Sequence, residues 1–464
     1  MRLNRLFISL TLFGVLLTTG AGCSSGGSSS SSSKSVELTV WRVFDEDDSF
    51  DTIISGYRLL HPNVKVTYRK LRFDEYKEEL IRAIAVGDGP DILSVHNTWM
   101  NEFKDLLEPM PETVSVSYQE TRGTLRKQTV MVAREEATMS LKSFKTKFVP
   151  VVVDDAIMSY QPDPKIDPTD KIYGLPLAVD TLALFSNQNI LNAAGVAEPP
   201  STWEAFQEAV KAITTIATDG TITQSAAAIG TSENVQRSPD LLSVLMMQNG
   251  TNMVDDRGRV AFHTIPAGTE EDFFPSLEAI RFYTDFANPT KEVYTWNDEF
   301  PNSFEAFVNG ETAMYFGYSY DIPLIRTAAP KLDFTISALP QISVGQQVNY
   351  ASYWLEGVSK SSENPDYAWN FLTFASDAEH VTSYLEAANK PTSLRSLITT
   401  QLNDEDIGIF ADQLLTAKTW YRGTDVDAAE AAMEDLIDEM LLGPEKPEDV
   451  LSDAASIVSQ TYSE

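Results

Sequence analysis

Residues Val36 to Val95 alternate between two periodicities, and that alternation restricts the fold more than any other feature of the chain. Val36-Glu-Leu-Thr-Val-Trp-Arg-Val-Phe44 is rich in β-branched and aromatic residues and reads as a strand. The acidic cluster Asp45 to Asp48 then opens a helix, where carboxylates suit free N–H groups and the helix dipole. Phe50, Ile53, Ile54, Tyr57 and Leu60 share one face of that helix, and His61-Pro62-Asn63 stops it. Val64–Leu71 resumes as a strand. A second helix carries Phe73, Tyr76, Leu80 and Ile84, ends at Gly87 and Gly89, and gives way to the strand Asp91–Val95. The order β-α-β-α-β predicts a mainly parallel sheet covered by helices. Ligands in such sheets gather beyond the carboxyl ends of the strands, where Phe44-Asp45 and His96-Asn97-Thr98-Trp99 stand.

The chain begins with an expected export signal. Arg2 and Arg5 precede an apolar run, Leu6 to Leu17, too short to span a membrane permanently. Gly20-Ala21-Gly22 follows, and then Cys23, the only cysteine. A lone cysteine there resembles the lipidated first residue of a mature bacterial lipoprotein, although Gly20 stands where that cleavage box usually has leucine. The alternative is a plain secretion signal with an incidental cysteine. Ser24 to Ser33 is nearly all Ser and Gly, a flexible tether with nothing to bury. About 430 residues remain, enough for two to three domains. With 43% hydrophobic and 10% aromatic residues they can build substantial cores. A formal net charge of −32 argues against nucleic acid and anionic lipid surfaces as partners.

Lys171–Asn187, KIYGLPLAVDTLALFSN, reads as two short strands, Ile172–Leu175 and Thr181–Phe185, broken at Pro176 and Asp180. Asp180 sits between Val179 and Leu182, which carries a carboxylate into apolar surroundings, a costly placement unless it is paired. It is either a solvated turn residue or faces a cleft where the chain crosses between lobes. Further on, Ser201-Thr-Trp-Glu204 reads as a capping box before a buried face of Trp203, Phe206, Val210 and Ile213. Asn364-Pro365 reads as a cap and first-turn proline for the helix through Trp369 and Leu372.

These landmarks, in order, resemble the family 1 extracellular solute-binding proteins of the maltose-binding type, which deliver ligands to ABC importers. The matching stretches are LTVWRVFDEDDSF, HPNVKV, GDGPDILSVHNTWMNEF, IYGLPLAVDTLALFSN and AAGVAEPPSTWEAFQEAVKAI. Downstream follow LMMQNGTNM, SFEAFVNGETAMYFGYSY, FTISALP, WLEGVSKSSENPDYAWNFLTFAS and ANKPTSLRSL. The resemblance implies a type II, two-lobed periplasmic-binding-protein-like α/β fold with ligand between the lobes. It implies a signal peptide over 1–22, a tether over 23–35, an N-terminal lobe over 36–180 and a C-terminal lobe over 181–349. Residues 350–392 would return to the first lobe and 393–464 to the second. Residues 111–167 depart from the family pattern. Within them Ser117–Val149 carries seven Lys or Arg against three Glu. This insertion is either a surface excursion packed on the first lobe or a docking element. Leu141, Phe144 and Phe148 suggest one amphipathic helix in it.

Sugar binding needs flat aromatic faces ringed by planar donors and acceptors. Trp99, Trp296, Tyr318, Tyr320, Tyr353, Trp354 and Trp420 are candidate platforms. By resemblance, Tyr320 falls at a stacking position and Asp180 at a hydroxyl-binding one, with Asp45, His96, Asn97, Trp99 and Arg422 completing the cleft. The run Tyr350-Ala-Ser-Tyr-Trp354, where relatives often have paired glycines, would favour a small ligand. The expected partners are a mono- or oligosaccharide, an importer permease and the membrane through the anchor at Cys23, with an extracytoplasmic location and no cofactor. The rival classes are a surface lipoprotein with an adhesive or structural role and a carbohydrate-active enzyme. Against the enzyme, His61, His96, His263 and His380 show no metal-ligand spacing, and no Walker A, GxGxxG or GxSxG sequence occurs.

Overall fold

The computed structural model describes residues 35–45, 48–124, 127–270, 273–343 and 345–462. The export segment, Cys23 and most of the tether lie outside them. Two mixed α/β lobes are built on two five-stranded sheets, joined by a small three-stranded one, and the two-lobed architecture is as expected.

In the first sheet Val36–Val43 is flanked in parallel by Val64–Leu71 and Ile92–His96. Trp354–Ser359 then enters antiparallel beside Ile92–His96, with Leu107–Glu108 at the edge. The helices follow the expected periodicity, with two differences. In Asp48–Leu60 the residues Phe50, Ile53 and Tyr57 are buried, whereas Leu60 is exposed in the last turn. In Phe73–Val86 only Tyr76 and Leu80 are buried. Phe73 opens the helix at the cleft end of the sheet and remains 53% exposed.

The second sheet runs Thr215–Ile216, Ile222–Ala227, Thr312–Gly317, Ala183–Asn187, Phe334–Ser337, and only its second and third strands are parallel to each other. Both sheets are therefore mixed: Trp354–Ser359 enters the first antiparallel from far along the chain, and Ala183–Asn187 runs antiparallel to both of its neighbours in the second. Trp203–Ile213 buries the predicted face, but its cap is Thr202, whose Oγ1 accepts from the Ala205 amide at 3.2 Å. Ser201 does not cap it. Pro365–Ala375 has proline in its first turn, while the Asn364 side chain makes no cap and instead donates to the Glu37 carbonyl at 3.4 Å. Val426–Leu441 and Pro447–Gln460 pack on each other and on Pro275–Asp285 of the second lobe.

The linking sheet sits between the lobes. Asp180–Thr181 pairs antiparallel with Asn349–Ser352, and Asn349–Tyr350 pairs in parallel with Ala417–Lys418. The expected strand Ile172–Leu175 is shifted: Thr169–Ile172 pairs with Ile157–Tyr160, and Leu175 makes only an isolated bridge to Glu356. Pro176, having no N–H to contribute, falls in the gap between the Leu175 bridge and the Ala178 bridge to Thr392. The insertion opens with a hairpin, Thr113–Arg122 against Gln128–Ala137, which periodicity did not reveal. Its Ser117 amide donates to the Tyr367 hydroxyl at 3.1 Å and its Ser115 amide to Asp366 at 3.0 Å, so the hairpin lies on a first-lobe helix. The helices Leu141–Lys147 and Pro150–Ala156 follow. No helix among the described residues is long and apolar enough to cross a membrane.

Candidate functional site

The strand Val36–Val43 ends at Phe44, whose φ of 71° places a bulky side chain in the left-handed region. Such a conformation costs about 1–3 kcal/mol and persists only where the surroundings impose it. Here Val43 on one side and Asp45 on the other are both buried. The Phe44 ring is left 53% exposed and stacks on Phe73 at 5.7 Å and 18°. Phe73 stacks on Trp99 at 6.3 Å, and Trp99 on Phe103 at 6.0 Å. In the other direction Phe44 faces Tyr320 of the second lobe at 6.4 Å and 5°, and Tyr320 stacks on Tyr318 at 5.7 Å. Six rings thus form one ladder from lobe to lobe. Trp354 lies edge-on to Phe44, Phe73, Trp99 and His96 and closes one side. Three members, Phe44, Phe73 and Tyr320 (43% exposed), present apolar surface to solvent at one place, the kind of patch that marks a binding site.

The turn carrying Tyr318 and Tyr320 is held by two carboxyls. Asp180, in the linking sheet, accepts from the Ser319 amide at 3.0 Å and from its hydroxyl at 2.6 Å. Asp321 accepts from the Tyr318 amide at 3.1 Å. A Cβ at Gly317 would come within 2.5 Å of the Asp321 carboxyl and 2.6 Å of the Tyr315 hydroxyl, so a larger residue would push both side chains out of their places in the turn. Burial pushes Asp180 up to about 6 and Asp321 up to about 7. A carboxyl with a raised folded-state pKa binds its proton more tightly when folded, so its penalty appears as pH rises through the interval between the unfolded and folded values. Wild-type protein is therefore expected to lose stability relative to Asp321→Asn between about pH 4 and pH 7, at about 1.4 kcal/mol for each pKa unit. Melting temperatures of both proteins across that range check this; a constant difference between them would contradict it.

Polar groups line the other edge of the ladder. Arg237, with φ of 59°, makes a two-pronged contact with Asp240 (2.8 and 2.8 Å) and another with Glu430 (2.7 and 3.1 Å). Tyr318 donates its hydroxyl to Asp240 at 2.7 Å. His96 lies between the Thr98 hydroxyl at 2.8 Å and the Ser352 hydroxyl at 3.0 Å. Burial, reinforced by Arg237, pushes its pKa down to about 3, so the ring is neutral and offers one donor and one acceptor. Asn97 accepts from the Tyr353 amide at 3.2 Å, and its Nδ2 is buried without a partner.

The structure thus brings His96, Asn97, Trp99, Asp180, Tyr320 and Trp354 to one region, and engages the side chains of Asp45, Tyr353 and Arg422 with other protein groups. Asp45 is not a helix cap. It pairs with Arg42 at 2.9 Å and Lys390 at 2.6 Å and accepts from Tyr384 at 2.9 Å. Burial alone would raise its carboxyl, but Arg42 and Lys390 hold it below the ordinary value. Tyr353 donates to buried Asp155 at 2.6 Å, and Arg422 pairs with the same carboxylate. Trp296 and Trp420 are buried, with their indole N–H groups donating to Thr231 and Asn234 and to Ser243 respectively. Phe73, Arg237 and Asp240 were not singled out in the sequence as site residues. Phe73 has the spacing of a core position, and the salt-bridged Arg-Ser-Pro-Asp start of a helix carries no signal for a cleft. No group of three or more His, Cys, Asp or Glu among the described residues could hold a metal ion.

Residues 56–411 match the family model described as bacterial extracellular solute-binding protein. The chain belongs to this family. A binding protein of Brucella abortus strain 2308 is 18% identical over 425 residues, covering 88% of each chain. Among solved structures, the cyclic alpha-maltosyl-1,6-maltose binding protein of Arthrobacter globiformis superposes with a TM-score of 0.69 at 17% identity, over 92% of this chain and 99% of that one. An ABC transporter solute-binding protein of Thermotoga lettingae, bound to alpha-D-tagatose, gives 0.63 at 20% identity, over 92% and 100%. As a solute-binding protein of an extracellular family, the chain works outside the cytoplasm, and its family is one of binding proteins rather than enzymes.

Proposed function

We propose that this protein captures a carbohydrate between its lobes and presents it to the permease of an ABC importer, while a lipid on Cys23 holds it at the membrane. The observation that carries the reading is the aromatic ladder, contributed by both lobes and bordered by Tyr318, Asp240, Arg237 and His96. Aromatic faces suit the C–H faces of a sugar ring, and fixed charged acceptors and donors suit its hydroxyls. Similar structures holding a cyclic maltosaccharide-binding protein and a tagatose complex support the same class. Asp180 acts in this account by positioning the Tyr318–Asp321 turn, both of its oxygens being engaged there. Binding contacts from both lobes favour the state in which the lobes meet, which is the hinge mechanism.

A thermal-shift screen against mono- and oligosaccharides tests the function. A sugar present at about 100 times its dissociation constant adds roughly 2.7 kcal/mol to stability. If none in a broad panel moves the midpoint, the carbohydrate reading fails. The anchor is tested separately: Cys23→Ala is expected to move the protein from the membrane to the soluble fraction, and retention at the membrane would exclude lipidation at Cys23.

A further inference from the structure

We propose that Phe44 is the second wall of the ligand slot, so that a single pyranose ring enters between Phe44 and Tyr320 and sugars with all-equatorial hydroxyls are selected. This rests on the carbohydrate reading above and goes on to name the sugar class. The two rings are nearly coplanar in orientation, 5° apart, with centroids 6.4 Å from each other, and each comes from a different lobe. Both keep large exposed areas although apolar surface of that size is normally covered. Phe44 is also fixed in place: its left-handed backbone lies beside Asp45, which Arg42 and Lys390 pin, and its ring rests on Phe73 with Trp354 against its edge. A side chain held in strain with its face outward belongs to a prepared surface rather than to a core.

Carbon contacts settle at about 3.5–4.0 Å, so a ring held between two aromatic faces needs centroids about 7–8 Å apart. The centroids, 6.4 Å apart, are short of that by about 0.6–1.6 Å, a small opening for lobes joined by a three-stranded link. Contact on both faces has a stereochemical consequence. Only a pyranose whose hydroxyls are all equatorial offers C–H groups on both sides with no axial hydroxyl on either, as glucose and xylose do in the β form. An axial hydroxyl, as in galactose or mannose, would point into one of the aromatic faces and lose its hydrogen bonds there. The equatorial hydroxyls would leave the slot at its sides.

The test is calorimetric titration of the wild-type protein and of Phe44→Tyr, Phe44→Leu and Phe44→Gly with methyl β-glucoside, methyl β-xyloside, methyl β-galactoside and methyl β-mannoside. Phe44→Gly suits the left-handed backbone, and so remains informative if the leucine variant folds poorly. The gluco and xylo sugars are expected to bind at least tenfold more tightly than the galacto and manno ones. Phe44→Tyr should preserve this, whereas Phe44→Leu and Phe44→Gly should weaken gluco and xylo binding tenfold or more and flatten the preference. Sugar binding that is unchanged in Phe44→Gly, or that is equally strong for axial sugars, overturns the slot and leaves the carbohydrate reading intact. Absence of binding by every sugar, including oligosaccharides, overturns both.

Discussion

Tyr320→Ala is expected to weaken sugar binding by roughly thirtyfold or more, equivalent to about 2 kcal/mol, with the melting temperature of the ligand-free protein nearly unchanged. The two halves of this expectation come from the same geometry. The ring is 43% exposed and makes its named stacking contacts only with Tyr318 and Phe44, so little of the second-lobe core depends on it. Yet it is the second-lobe wall of the cleft, and a flat aromatic anchor facing a ligand is where binding energy concentrates. Faster dissociation should account for most of the loss. Calorimetry and stopped-flow dissociation on the folded variant measure both quantities. Intact affinity in a folded Tyr320→Ala protein would remove the ladder from the binding site.

The largest stability effect is expected at Arg42. Its guanidinium is buried between Glu356 (2.9 Å), Asp45 (2.9 Å) and the Tyr384 hydroxyl (3.2 Å), with its plane over the Phe50 ring at 4.5 Å. Arg42→Met fills similar space but strands the Glu356 carboxylate, which keeps only the Ser94 hydroxyl at 2.7 Å. Removing one partner of a buried ion pair typically costs about 3–5 kcal/mol, because the charge left behind has lost its compensation. The double variant Arg42→Met/Glu356→Leu should recover a substantial part of that, since Asp45 still has Lys390. Urea unfolding of the two variants and the wild type decides; a double variant no more stable than the single one would show that the network is not the source of the loss.

Much of the fold was legible because it follows from periodicity. The helices through Phe50, Ile53 and Tyr57 and through Trp203, Phe206 and Val210 bury the faces their spacing marks. The side chains of the site were harder to read, for a reason that Tyr353 and Trp354 show. They are adjacent at the boundary between the linking sheet and the first sheet, so their side chains leave in different directions: Trp354 joins the ladder, and Tyr353 turns to Asp155. Sequence places both near the cleft and cannot say which faces it. Asp45 reads as a helix cap because its decisive partner, Lys390, is distant in the chain. Phe73 reads as core because its spacing to Tyr76 is helical, whereas its position at the first turn, beside Phe44, leaves it in the cleft. In the hairpin Thr113–Ala137 the first strand alternates over Val114-Ser-Val-Ser-Tyr118, but the second, with the run Val130-Met-Val132, does not, so the pair carries no two-sided hairpin signal.

Where a bound sugar lies decides whether both lobes capture it. A crystal structure of the protein with the sugar that gives the largest thermal shift would place it. The expected result is a ring against Tyr320, with contacts from the first lobe at Phe44 or Trp354 and from the second at Tyr318, Asp240 or Arg237. A sugar that contacts one lobe only, or that sits outside the ladder, would contradict capture between the lobes.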